Sequence, residues 1–110
     1  MTNVYKNAFA DLTTTNATIY TTPSDSRAII QNIQVANDTL NNTNVEIYVH
    51  DSSASTTYHI AHDQLSTKET VNLAKGPVIL EESDYIIAEA SANSTAHLSL
   101  AILEISRNEQ

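Results

Sequence analysis

Arg27-Ala-Ile-Ile-Gln-Asn-Ile-Gln-Val-Ala-Asn37, followed after a polar gap by Val45-Glu-Ile-Tyr-Val-His50, is the stretch whose reading decides the fold. Successive side chains leave a strand on opposite faces, so Val45, Ile47 and Val49 point one way and Glu46, Tyr48 and His50 the other. The same alternation puts Ile29, Ile33 and Val35 on the core face of the first run, with Gln31 interrupting them. Ile30, Asn32, Gln34 and Ala36 then fall on the opposite face. That second face is neither fully apolar nor charged, which suits a surface covered by another subunit.

Working outward, residues 1–15 alternate weakly around Val4, Tyr5 and Phe9 and read as an extended N-terminal arm or edge strand. Residues 16–106 read as one β-sandwich domain, and residues 107–110 as a short C-terminal tail. Ala17 to Thr21 is a short strand, and Thr22-Pro-Ser-Asp-Ser26 is a turn of residues that fix φ or hydrogen-bond their own backbone. Asp51-Ser-Ser-Ala-Ser55 is a hairpin turn whose return strand, from Thr56 to about Ala61, pairs with 45–50 and carries Tyr58 and Ile60 on one face. Gln64 to Glu69 is the only window that suits a turn of helix. Strand pattern resumes at Thr70 to Leu73 and, after the break at Lys75-Gly-Pro77, at Pro77 to Leu80.

Glu81-Glu-Ser-Asp84 is an acidic turn, Tyr85 to Ser91 a strand, Ala92-Asn-Ser-Thr95 a turn, and His97 to Ser106 the last and most apolar strand. Leu98, Leu100 and Ile102 occupy one of its faces and Ala101, Leu103 and Ile105 the other, so it is central in a sandwich or buried at a subunit contact. About eight short strands with turn signals every 8 to 12 residues or so describe an all-β protein, an antiparallel, jelly-roll-like β-sandwich. With a single glycine, turns that need positive φ are expected to use Asn and Asp.

The chain has 110 residues, room for one domain. Its formal net charge of -8, with five Lys and Arg in all, argues against binding nucleic-acid phosphates or anionic membranes. The N-terminal residues show no secretion-signal pattern, and no window approaches the ~18 apolar residues of a membrane span, so synthesis in a cytoplasm is expected. Sequons at Asn16, Asn37, Asn41 and Asn93 therefore read as polar turns.

Chemistry is hard to find. One glycine cannot make a phosphate-binding loop or a nucleophile elbow, and without cysteine there is no disulfide, zinc thiolate or thiol nucleophile. His50-Asp51, His59 and His62-Asp63 form the best constellation, yet in an uninterrupted strand His59 and His62 face opposite ways and cannot chelate one ion without a bend between them, so they read as exposed or hairpin-flanking histidines, with a metal at a subunit interface as the alternative. Glu81, Glu82 and Asp84 lack the spacing and glycine of a calcium loop and read as a solvated turn. Without Trp, and with its five Tyr dispersed, the chain offers no evident sugar cleft. No catalytic, cofactor-binding or metal-ligating residue is assigned. Tyr48 sits on the outward face, with Tyr58 expected across the hairpin from it.

Val4-Tyr-Lys-Asn7, Asp11-Leu-Thr-Thr-Thr15, Arg27-Ala-Ile-Ile30 running into Val35-Ala-Asn-Asp38, Glu81-Glu-Ser-Asp84 and Leu103-Glu-Ile-Ser106 give the chain an order of pieces that resembles small virion structural proteins of tailed bacteriophages. The resemblance covers nearly the whole chain through strand and turn patterns, and departs from the family around residues 50–63. It implies a non-enzymatic β-sandwich of the virion, a capsid cement or decoration protein that packs on the major capsid protein or other virion proteins and forms a homo-oligomer. A neck, tail or fibre component and a carbohydrate-binding module are the alternatives. The residues expected at interfaces are Val4, Tyr5, Phe9, Ile30, Gln34, Tyr48, His50 and Tyr58.

Overall fold

A computed structural model describes residues 2–92 and 96–106. The sequon at Asn93, most of the turn it belongs to and the tail 107–110 lie outside the described residues. Among the described residues nine strands follow one another: β1 (Thr2–Asp11), β2 (Ala17–Thr21), β3 (Ser26–Asn37), β4 (Thr43–Asp51), β5 (Thr56–Leu65), β6 (Thr70–Asn72), β7 (Val78–Leu80), β8 (Tyr85–Ala90) and β9 (Ala96–Ser106). The first sheet runs β1-β9-β3-β6, with β7 also pairing with β3, and the second runs β2-β8-β4-β5. All pairings are antiparallel. Such an order, with the chain passing repeatedly between two facing sheets, is jelly-roll connectivity. The first fifteen residues include a full edge strand, since β1 follows β9 in register from Thr2↔Ser106 to Asp11↔His97.

Burial alternates with a period of two along β8, β9 and most of β3, and β9 shows why it can lie between β1 and β3. Leu98, Leu100 and Ile102 fill the interior, while Ala101, Leu103 and Ile105 are only half-buried on the outside. Facing them across the core are Val45, Ile47 and Ile86 of the second sheet, with Ile30, Ile33 and Val35 of β3 beside them. Each such side chain withdrawn from water contributes about 1.5–3 kcal/mol, the main term holding the sheets together.

Strict alternation fails in β3. The register with β9 slips between Ile30 and Asn32, so Gln31 is an extra residue, a β-bulge. Beyond it Ile33 and Val35 point inward as read from the sequence, but before it the phase is reversed: Ile30 has 0% exposure and Ile29 faces outward. Ile30 is therefore core and unavailable to a partner. A second slip in the β4–β5 pairing, where Ile47 faces Ala61 but Tyr48 faces His59, makes Ile60 the extra residue of β5.

The connections also depart from expectation in detail. No helix turn forms after Gln64; β5 continues to Leu65 and a turn leads to β6. Among the described residues, the non-glycine positions with positive φ are Ser55, Lys68 and Ser83, not Asn or Asp, and Gly76 does not have positive φ. β6 and β7 pair with β3 at Gln34–Ala36 and Ala28–Ile30, forming one edge interrupted at Lys75-Gly-Pro77. Asn37 is 2% exposed, and its Nδ2 donates to the carbonyls of Asn41, Leu65 and Ser66 while its Oδ1 accepts from the amide and hydroxyl of Thr39. The sequon there is a buried structural staple between two loops.

Candidate assembly surfaces

The outward face of the first sheet is built from every second residue of its strands. Tyr5 lies opposite Leu103, Leu103 opposite Ile29, and Ile29 opposite Ile79, so one apolar row crosses β1, β9, β3 and β7. At its ends Tyr5 is 76% and Ile79 58% exposed. Ile105 and Ala101 flank Leu103 along β9 on the same face. Antiparallel sheets commonly put polar residues on a face left to water, so a continuous apolar row makes this face a candidate contact surface. Further along, Phe9 stands exposed opposite Ser99, which in turn faces Gln34. Here the face becomes polar: the ring Nδ1 of His97 meets the Asp11 carboxylate at 2.5 Å.

The two sheets leave one flank open. Between β5 and β7, Val49, Tyr58, Ile60, Val78 and Ile79 line a shallow apolar depression. Exposed Tyr58 and Ile60 thus approach the end of the apolar row at Ile79. Both β1 and β5 are long terminal strands of their sheets, and such edges present unpaired N–H and C=O groups to a further strand.

Acidic side chains close one end of this depression. Carboxylate oxygens of Asp51, Glu81 and Asp84 lie within 4.8 Å of one another. Asp84 is buried, and its oxygens accept from the backbone amides of Ser52 at 2.9 Å and Glu81 at 3.0 Å. The carboxylate ties the β4–β5 turn to the β7–β8 turn. Only part of the acidic turn is thus solvated, because its last residue has become a structural clamp.

On the outward face of the second sheet, Tyr48 donates its hydroxyl to Glu46 at 3.1 Å and to Glu89 at 3.0 Å. Desolvation and these hydrogen bonds to carboxylates push its pKa from 10.0 up to about 12. The Tyr48 ring stacks on His59 with centroids 4.7 Å apart, and His50 stacks on Tyr85 at the same separation. Between the sheets, Glu104 is nearly buried and accepts from Lys6 of β1 at 3.1 Å and from the hydroxyl of Tyr20 of β2 at 2.5 Å. Burial first, and then the bond to Glu104, raise the Tyr20 pKa strongly.

The residues expected at interfaces do not form one site. Tyr5, Phe9 and Gln34 share the outward face of the first sheet, whereas Val4, opposite Glu104, lies on the inward side at a less covered part of β1 and is 40% exposed. Tyr48 and His50 occupy the outward face of the second sheet. Tyr58 pairs with Val49 and belongs to the open flank, so the ring stacked on Tyr48 is that of His59 and not Tyr58.

No protein-family model matches the chain, and neither does any curated protein sequence. Solved structures share its fold. A chain of the acidic stable capsid structure of Helicobacter pylori bacteriophage KHP30 aligns with a TM-score of 0.61 and 14% identity, covering 98% of this chain and 90% of that one. A chain of the Bacillus endospore appendages, described as disulfide-linked pili, aligns at 0.56 with 10% identity, covering 97% and 88%. The Drosophila NLP core, described in relation to pentamer formation and histone binding, also gives 0.56, with 14% identity and coverages of 90% and 97%. At these identities, what is shared is the fold.

Ile29 and Ile79 were not among the residues that sequence reasoning placed at a surface. For Ile29 a signal existed: the adjacent apolar pair Ile29-Ile30 and polar pair Gln31-Asn32 break alternation at the bulge. Ile79, in a strand of three residues between two apolar neighbours, carried no such mark.

Proposed function

We propose that the chain is a non-enzymatic structural protein of a bacteriophage virion, acting as a capsid cement or decoration protein that packs on the major capsid protein and on copies of itself. The observation that carries this reading is the apolar row Tyr5–Leu103–Ile29–Ile79 on a sheet face that is otherwise open to water. Such a row favours contact over solvation. The long edges of β1 and β5 add backbone groups that accept a neighbouring strand. Likeness to a chain of a phage capsid structure supports the same reading at the level of fold. An acidic surface is consistent with a protein partner in preference to packaged nucleic acid.

Mass spectrometry and cryo-electron microscopy of whole particles test the assignment. Copy numbers in the hundreds, with the protein spread over the shell, are expected. About a dozen copies or fewer at one vertex would instead make it a ring-forming neck or tail component. Absence from purified particles would overturn the virion role altogether.

A further inference from the structure

We propose that His59, His62 and Glu46, on the outward face of β4 and β5, bind a first-row divalent transition-metal ion, with zinc the reference ion. In an unbroken strand, residues three apart point to opposite faces. The bulge at Ile60 removes that obstacle: Tyr48 pairs with His59 and Glu46 with His62, both neighbours lying on the same side of β4. The two imidazole rings stand 5.5 Å apart between centroids. With Zn–N bonds of about 2.0–2.1 Å, two imidazoles on one tetrahedral ion place their centroids about 5 to 5.5 Å apart.

The carboxylate completes the set from the adjacent strand. Glu46 Oε1 lies 3.4 Å from His59 Nε2. That is about the separation of two ligand atoms on a tetrahedral ion with bonds near 2 Å. The three ligand atoms do not all lie within 4.8 Å of one another as the side chains stand, so the exposed His62 side chain has to turn about its rotatable bonds for the site to close. Tyr48 supports two of the three groups: its ring stacks on His59, and its hydroxyl donates to the Glu46 oxygen. Outer partners of this kind fix the direction of metal ligands.

The surroundings also favour a cation. Glu89 shares the Tyr48 hydroxyl, and Asn44, Asp63 and Gln64 line the depression beside His59 and His62. A fourth position is open to solvent for water or a side chain of an adjoining molecule. Two imidazoles with one carboxylate suit zinc, nickel or copper better than calcium or magnesium, which prefer all-oxygen shells.

Isothermal titration of the full chain with Zn²⁺, together with imidazole resonances followed by NMR, tests the site. Expected is one ion per chain, with the His59 and His62 resonances shifting together. His59→Ala and His62→Ala should each weaken binding at least tenfold, Glu46→Gln less, and His97→Ala not at all. His59→Gln and His62→Gln, with circular dichroism to confirm folding, guard against a structural effect of the alanines. No saturable binding, equal loss in His97→Ala, or retention of affinity in both the His59 and His62 variants would overturn the proposal.

Discussion

Single residues show how a polar side chain can belong to the fabric of a sandwich and still answer to solvent. Tyr48 is neutral when it donates to Glu46 and Glu89, and ionisation would set a third negative charge between them. A folded-state pKa of about 12, above the unfolded value of 10.0, means that its stabilising contribution is fully present below pH 10 and lost as pH rises through about 12. The Tyr20 shift has the same sign, so both tyrosines drive the protein towards unfolding in alkali. Urea midpoints measured at rising pH should therefore fall across this interval. In Tyr48→Phe the midpoint should start slightly lower and fall less steeply; parallel curves for the two proteins would show that Tyr48 does not couple to stability. None of this could be read from the sequence, where Glu46 and Tyr48 are plainly on one face but Glu89 reaches them only through the β4–β8 pairing.

At the level of elements, the bulges of β3 and β5 decide which side chains meet. Fold class was legible because burial follows period two along β8, β9, the first half of β4 and both halves of β3, and the hairpin 45–61 pairs as its turn residues indicate. Face assignment failed at Ile30 and at the His59–His62 pair because one unpaired residue reverses the phase of everything on one side of it. Two side chains adjacent in sequence now test that phase. Ile30 is fully buried and Ile29 lies on the outward face, so Ile30→Ala should cost about 2–5 kcal/mol in urea unfolding and Ile29→Ala about 1 kcal/mol or less. The reverse order would mean that β3 has no bulge at Gln31. The outward apolar row was legible only in part, since it depends on the register of four strands and two of its members come from the bulged half of β3 and from the short β7.

Across the whole molecule, the proposed association would set an apolar row against a strongly negative surface. A net charge of -8 on a small domain makes copies repel one another, and salt screens that repulsion within about 10 Å at moderate ionic strength. The row Tyr5–Leu103–Ile29–Ile79 pulls the other way, and its effect is not weakened by salt. Changing Tyr5 and Ile79 together to Lys separates the two forces. The double variant lowers the net negative charge by two, so if charge alone governed association, copies would associate more readily. If the row is the contact surface, two buried ammonium groups would have to be desolvated, and self-association or binding to empty capsids should weaken about tenfold or more. Both residues are largely exposed in the single chain, so the urea midpoint of the isolated protein should move little. Light scattering and sedimentation with empty capsids read the outcome; unchanged or strengthened association would exclude this face as the one that holds the protein in place.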